Sequence, residues 1–328
     1  MILAGDIGGT KCNLALFEAH FGALERVAQK RFPSQNYASM EDILREFLAG
    51  AGARAGPSRK ITAAGFGLPG PVVENQVRAT NLPWIVDGAT VAAALGGTRV
   101  VLLNDLEAAA YSLEILKPAE ICVLNEGISE PRANRALIAA GTGLGEALLI
   151  WDGSRHVITA TEGGHADFAA RTAREIELLR HVQRQHKRVD AEEIISGRGF
   201  RTIHEFLDAS VQHPGFDDPN ADPAPEITRL GMAGECPVCV EALDMWTAAY
   251  GAEAGNLALR SLARGGVYVA GGIAVKILMK MQDGTFVRAF CEKEKFGIFL
   301  KQIPIYLVLN EDAPLLGAAA RAAAALGS

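Results

Sequence analysis

The sequence predicts a duplicated α/β protein, with two domains and a cleft between them. Three observations point there. The chain has 328 residues, 49% of them hydrophobic, which is more than one compact core usually carries. Strand-like and helix-like segments alternate along it. A strand, a glycine turn and a returning strand occur twice, once around Gly8-Gly9 and again around Gly141 to Gly145.

The elements follow in order. Ile2-Leu3 lead into Gly5-Asp6-Ile7-Gly8-Gly9-Thr10, and Asn13-Leu14-Ala15-Leu16-Phe17 return, which predicts a hairpin with Asp6 inside its turn. Met40 to Ala51 places Ile43, Leu44, Phe47 and Leu48 on one helical face. Ala63 to Leu68 reads as a strand closed by Pro69-Gly70-Pro71. Val100 to Leu103 is an apolar strand that stops at Asn104-Asp105, with helix from Leu106 to Leu116. The alternation restarts with strands at Ile121 to Leu124, Arg135 to Ala140 and Ala147 to Trp151, the last two joined by Gly141-Thr142-Gly143-Leu144-Gly145. Helices cover Arg174 to Gln185 and Pro237 to Leu262, separated by a Pro-, Asp- and Asn-rich loop from His213 to Pro225. Val267 to Ala270 is a strand entering Gly271-Gly272. Ile303 to Leu309 is a late strand, and Leu315 to Leu326 an alanine-rich closing helix.

Composition excludes several function classes. A formal net charge of -6 disfavours a nucleic-acid partner, while leaving room for a local anion site. No run of 18 apolar residues occurs, so no membrane span is expected. Asp6 interrupts the first apolar run, and no basic leader precedes it. Five irregularly spaced cysteines fit a reducing, cytoplasmic setting better than a disulfide framework. Cys236 and Cys239 form a C-x-x-C, but no second Cys or His pair of suitable spacing lies near them in sequence. They read as two small apolar residues one helical turn apart, with no metal or redox role.

Three glycine turns follow or join strands, and backbone N–H groups freed of a nearby Cβ can approach phosphate oxygens. A Walker A loop is excluded, because Gly5 to Lys11 lacks the Gly-Lys-Ser/Thr ending. Gly141 to Gly145 is G-x-G-x-G before a strand, whereas the dinucleotide fingerprint opens a helix. Asp6 reads either as a turn aspartate bonding its own backbone or as a carboxylate that orients Mg2+ through water. Thr10 offers a hydroxyl to a phosphate. Asp105, at the end of an apolar strand, is a helix N-cap, a catalytic base, or both. Glu162-Gly163-Gly164-His165 sets a carboxylate and an imidazole around a flexible turn, and Glu192 precedes Ile194-Ile195-Ser196-Gly197. Sugar hydroxyls donate and accept, so sites for them gather such groups.

Taken together, these motifs resemble bacterial glucokinases of the hexokinase type, within the actin, sugar kinase and heat-shock ATPase superfamily. The resemblance runs over nearly the whole chain. It rests on Gly5 to Thr10, Leu103-Asn104-Asp105, Ala140 to Gly145, Glu162 to Phe168, Ile195-Ser196-Gly197, Asn256-Leu257-Ala258-Leu259, Val269 to Ile273 and Leu315-Leu316-Gly317. It implies two actin-like (ribonuclease H-like) α/β domains flanking a deep cleft. Residues 1–115 with 307–328 form the smaller, holding the first phosphate loop, the catalytic Asp and the closing helix. Residues 116–306 form the larger, with the second phosphate loop and the sugar and adenosine contacts.

The activity implied is phosphorylation of D-glucose at its 6-hydroxyl by ATP with Mg2+, the first step of glycolysis, by a cytoplasmic homodimer. Asp105 matches the catalytic base. Asn104, Glu162, His165 and Glu192 match the sugar ligands, with the adjacent Glu193 as the alternative to Glu192. Gly5, Asp6, Ile7, Gly8, Gly9, Thr10, Gly141, Thr142 and Gly143 match the phosphate loops, and Gly271 and Gly272 the edge of the adenosine site. No metal is expected to be held by the protein alone.

Pro69-Gly70-Pro71 and Asn81-Leu82-Pro83-Trp84 also resemble the related repressor, open-reading-frame and kinase family. Its members often carry a zinc site with cysteines soon after Glu-Gly-Gly-His. Ala166 to Arg174 holds no cysteine, so no structural zinc is expected. The alternatives are a kinase of the same fold for fructose, mannose or an amino sugar, and a sugar-sensing regulator. The regulator is disfavoured because the phosphate turn stands at the start of the sequence, where such proteins carry a DNA-binding helix pair.

Overall fold

Ile2–Ile7 (β1) is an almost wholly buried strand, and a strand buried on both faces must sit in the middle of a covered sheet. The structure is a computed structural model that describes residues 1–20, 23–55, 60–79, 82–214, 216 and 222–326. Asn81 and residues 215 and 217–221 of the expected loop lie outside the described residues. The chain divides into two compact units, 1–117 with 310–328, and 118–309. The second boundary falls after Leu309 because Ile305–Val308 is a strand of the second unit's sheet.

In the first unit β1 is joined by Lys11–His20 (β2), Ala23–Pro33 (β3) and Ala63–Leu68 (β4). A small three-stranded sheet follows, made of Val72–Val73 (β5), Gln76–Arg78 (β6) and Ile85–Asp87 (β7), and then Arg99–Asn104 (β8). The main sheet has the order β3-β2-β1-β4-β8. β1, β4 and β8 are parallel; β2 and β3 fold back antiparallel. Its helices are Met40–Ala55 (α1), Gly88–Ala94 (α2) and Asp105–Ser112 (α3), with the C-terminal helix Ala313–Ala324. The small side chains Ala318, Ala319 and Ala322 let the C-terminal helix lie close against β1, β4 and α3, in one cluster with Ile2, Phe17 and Leu103.

The second unit repeats this order. Its strands are Ile121–Asn125 (β9), Arg135–Ala140 (β10), Leu144–Trp151 (β11), His156–Thr161 (β12), Val267–Ala270 (β13) and Ile305–Val308 (β14), arranged β12-β11-β10-β13-β14-β9. β10, β13 and β14 are parallel, β11 and β12 return antiparallel, and β9 is an added antiparallel edge. Leaving β9 aside, both sheets run third-second-first-fourth-fifth in chain order, so the duplication expected from the two glycine hairpins is a duplication of topology. The helices used below are Ala173–Val182 (α4), Ala191–Ile194 (α5), Gly197–Asp208 (α6), Ala224–Ala233 (α7), Pro237–Ser261 (α8) and Gly272–Lys276 (α9). α8 carries the core. Trp246 and Tyr250 are fully buried, and Trp246 stacks on Phe200 of α6 with ring centroids 4.6 Å apart.

Three expectations change. Asp6 is a strand residue, paired with Asn13 and Gly67, and the turn proper is Gly8 to Thr10. The helix expected to reach Leu116 ends at Ser112. The strand expected from Ala147 begins at Leu144, directly after the glycine turn. Among the described residues, no helix is long and apolar enough to cross a membrane.

Candidate active site

The first unit sets a glycine turn beside a group of carboxylates. The turn closes when Gly8 N donates to Lys11 O at 2.8 Å. Ser34, fully buried at the end of β3, braces it from behind: its Oγ donates to Gly8 O at 2.7 Å and its N to Thr10 O at 3.1 Å. Gly5 and Ile7 are buried strand residues, whereas Gly8 and Gly9 are half-buried and Thr10 is exposed. Gly5 is required by packing, since a Cβ there would lie 2.6 Å from Phe66 Cδ1 and 2.8 Å from Leu14 Cδ2.

Asp6 lies on the rim of this turn. Burial pushes its carboxyl up to about 7, with the negative charges of Asp105 and Asp312 adding to the rise and Arg31 opposing it. Asp312 stays charged. Burial raises its pKa, but hydrogen bonds from Gln29, Arg26 and Arg31 outweigh that and hold it below the usual carboxylate range. Asn13 Nδ2 also donates to Asp312 Oδ1, at 3.1 Å.

Asn104, not Asp105, is the N-cap of α3. Its Oδ1 accepts from Leu106 N at 2.9 Å and Glu107 N at 3.4 Å, while its Nδ2 donates to Gly70 O at 3.3 Å. Asp105 is therefore the first residue of the helix. Its Oδ1 accepts from Leu106 N at 2.9 Å, a position where the helix dipole favours an ionised carboxylate.

The second unit holds the other predicted residues, and Gly271 packs against Ala140 at the start of the second turn, where a Cβ would stand 2.3 Å from Ala140 O. Gly141 N donates to Gly143 O at 2.8 Å, closing the turn between β10 and β11. Gly141 O accepts from Gly197 N at 2.8 Å, at the start of α6. Glu192 Oε2 accepts from Leu144 N at 2.9 Å, so this expected sugar ligand is bonded to the end of the expected phosphate turn. A Cβ at 143 would stand 2.4 Å from Glu192 Oε2, so any larger residue there displaces the Glu192 carboxylate. Arg198 approaches Glu192 Oε1 at 3.2 Å and Glu193 Oε1 at 3.9 Å.

Glu162 is exposed and leads into a single 3-10 turn, Gly163–His165. His165 Nδ1 lies 3.1 Å from Asp190 Oδ2, and the backbone bonds Phe168 N to Val189 O and Ala191 N to Ala166 O lock the two segments together. The Asp190 hydrogen bond raises the His165 pKa. Burial opposes that rise, and the charges of Glu192, Asp190 and Glu162 support it. Gly271 and Gly272 stand at the end of β13, where Gly272 opens α9. Tyr250 Oη, from α8, accepts from Ala140 N at 3.2 Å beside the second turn.

The family profile decides what these parts belong to: the glucokinase profile matches residues 3–325. The chain belongs to the glucokinase family. It is 36% identical over 342 residues to a glucokinase of Nostoc sp., covering 98% of this chain and 99% of that one. It is also similar to the crystal structure of a glucokinase from an Antarctic psychrotroph, at 29% identity, a TM-score of 0.85 and 98% coverage of both chains. The fold alone is shared with a ROK family glucokinase from Streptomyces griseus in complex with glucose and AMPPNP. That likeness has 20% identity and a TM-score of 0.66, and covers 98% of this chain and 99% of that one. The two units are the actin-like domains of glucokinase structures.

Within this glucokinase, sequence reasoning missed four site neighbours: Ser34, Asp190, Asp312 and Glu146. Asp190 had a local signal, since an Asp three residues before Glu193 is a helix N-cap; its Oδ1 accepts from Glu193 N at 3.0 Å. Glu146 is buried on β11, opposite Thr161, and its Oε2 lies against Gly163. Burial, then the charge of Glu253, pushes its carboxyl up to about 7, with Arg260 opposing. The expectation that Cys236 and Cys239 have no metal-ligating neighbours rests on sequence distance, and the fold corrects it: His204 and His213 come to Cys239.

Proposed function

We propose that this glucokinase transfers the γ-phosphoryl group of ATP to the 6-hydroxyl of D-glucose. Asp105 accepts the hydroxyl proton as the phosphoryl group arrives in line. Asn104, Glu162, His165 and Glu192 hold the other sugar hydroxyls. Asn104 has a second amide N–H besides the one given to Gly70, and His165 has its Nε2 when Nδ1 faces Asp190. Backbone N–H groups of the turns Gly8 to Thr10 and Gly141 to Gly143 donate to phosphate oxygens, and Gly271-Gly272 borders the adenosine.

The observation that carries the reading is the bond from Leu144 N to Glu192 Oε2. It ties a sugar-type ligand to a phosphate-type turn within one unit, as transfer between a sugar and a nucleotide requires. The glucose and AMPPNP held by the Streptomyces griseus structure support the same pair of substrates.

Asp6 fits Mg2+. It offers hard carboxylate oxygens, and the charges of Asp105 and Asp312 that raise its pKa make a negative locus that a divalent cation relieves. When bound with ATP, the cation would neutralise phosphate charge, and Asp6 is the residue that would hold it. The reading includes a cytoplasmic homodimer in the first step of glycolysis, and sedimentation equilibrium tests the dimer.

A coupled ADP-release assay over glucose, fructose, mannose and glucosamine tests the substrate. Glucose is expected to give the highest kcat/KM. A higher value for another hexose, or no sugar-dependent ADP release, contradicts the reading.

A further inference from the structure

Away from the sugar and phosphate residues, three metal-ligating side chains meet between α6, the segment after it and the start of α8. A ring nitrogen of His204, a ring nitrogen of His213 and Cys239 Sγ all lie within 4.8 Å of one another. Cys239 Sγ and His213 Nε2 are 3.4 Å apart. Ligand atoms of a tetrahedral zinc with bonds of 2.0 to 2.3 Å stand roughly 3.5 Å from each other, so this pair is already at that spacing and the others need about 1 Å of contraction.

The site is enclosed and has an unmet demand. His204 is 2% exposed, and its Nε2 is buried with no hydrogen-bond partner. Phe216 stands edge-on to both imidazoles, with ring centroids 5.1 Å from His204 and 5.3 Å from His213, and closes one side. Cys236, also buried, is the N-cap of α8. It shares a hydrogen bond with Cys239 one turn on, which places a second thiol beside Cys239.

We propose that His204, His213 and Cys239, with Cys236 as the fourth ligand, bind a borderline-soft divalent cation of the zinc type as a structural clamp. Two imidazole nitrogens and cysteine sulfur are the donor set such a cation takes. The Cys239 thiol is pushed up to about 12 by burial and then by the Cys236 hydrogen bond. Binding therefore releases one proton from each of the two thiols, Cys236 and Cys239, to solvent as the two S–metal bonds form, the cation replacing the proton on each sulfur.

The clamp joins helices that serve the second glycine turn. α6 begins with Gly197 N bonded to Gly141 O, and α8 carries Trp246, whose Nε1 donates to Ser196 O at 3.0 Å. The metal so placed fixes the spacing of α6 and α8 and makes no contact with the reacting groups.

The test uses the untagged full chain, purified under reductant without chelator. Metal analysis is expected to give about one zinc per chain. Cobalt(II) added to chelator-treated protein is expected to give the thiolate charge-transfer band and the intense visible bands of a tetrahedral site. Zinc is expected to raise Tm. His213 is half-buried on the connecting segment, so His213→Ala keeps the helices; it is expected to lose zinc to below about a tenth per chain and to lose the Tm response to zinc. C239S is expected to weaken the charge-transfer band, and the double variant C236S/C239S to abolish it. Folded wild-type protein with no bound zinc and no cobalt spectrum overturns the proposal. So does a folded His213→Ala variant that keeps a full equivalent.

Discussion

His165 Nδ1 and Asp190 Oδ2 lie 3.1 Å apart, and that contact fastens the turn after β12 to the residue that caps α5. The pair raises the pKa of His165, with the hydrogen bond from Asp190 as the largest cause. A raised folded-state value means the pair's stabilisation is complete below the ordinary histidine pKa and fades as pH rises through the raised one. NMR titration is expected to show His165 titrating above the ordinary value, and Asp190→Asn is expected to bring it down. An unchanged titration in that variant contradicts the assignment.

Glu192 and Glu193 are separable. Glu192 reaches Leu144 N, while Glu193 has a looser approach to Arg198. Glu192→Ala is expected to raise KM for glucose about tenfold or more, the loss of one charge-assisted hydrogen bond. Glu193→Ala is expected to change it less than about threefold. Gly143→Ala, whose Cβ would collide with Glu192 Oε2, is expected to mimic the first variant. Steady-state kinetics of the three decides; equal effects at 192 and 193 contradict it.

Asp6 gives stability a pH dependence of definite sign. Its carboxyl rises from 3.8 to about 7 on folding. Between those values the folded state keeps a proton that the unfolded chain has released, so stability falls as pH rises through this window and levels off above it. Asp6→Asn removes the effect. Calorimetry is expected to show the variant's Tm gaining on wild type as pH goes from 4 to 8. A pH-independent difference refutes the cause given.

Ser34 acts on the first turn without being part of it. Ser34→Ala leaves Gly8 O without its buried donor, at a cost of about 1–3 kcal/mol. Tm is expected to fall by several degrees, with KM for ATP rising more than KM for glucose. A loss of Tm without the ATP effect makes Ser34 a packing residue only.

The fold was legible where segments were apolar throughout. β4 and β10 are interior strands and β8 is an edge strand, and the apolar runs of all three announce them, while the glycine hairpins give the duplication. β3 and β12 were not foreseen, because edge strands need bury only one side. Ala23–Pro33 interrupts its apolar residues with Glu25, Arg26, Gln29, Lys30 and Arg31, and His156–Thr161 is short and half-exposed. The motif residues Asp105, Glu162, His165 and Glu192 could be named from local pattern. Asp312 could not, since it meets Asn13 across 299 positions of sequence and sits in no motif. The same holds for His204 and His213 beside Cys239, which only the packing of α6 against α8 brings together.

In the proposed reaction Asp105 takes the proton of the glucose 6-hydroxyl. The most direct measurement is kcat of Asp105→Ala with saturating glucose and ATP, beside the circular dichroism of the folded variant. The kcat is expected to fall by roughly 10²–10⁴-fold with the spectrum unchanged. A folded variant that turns over within about threefold of wild type contradicts it.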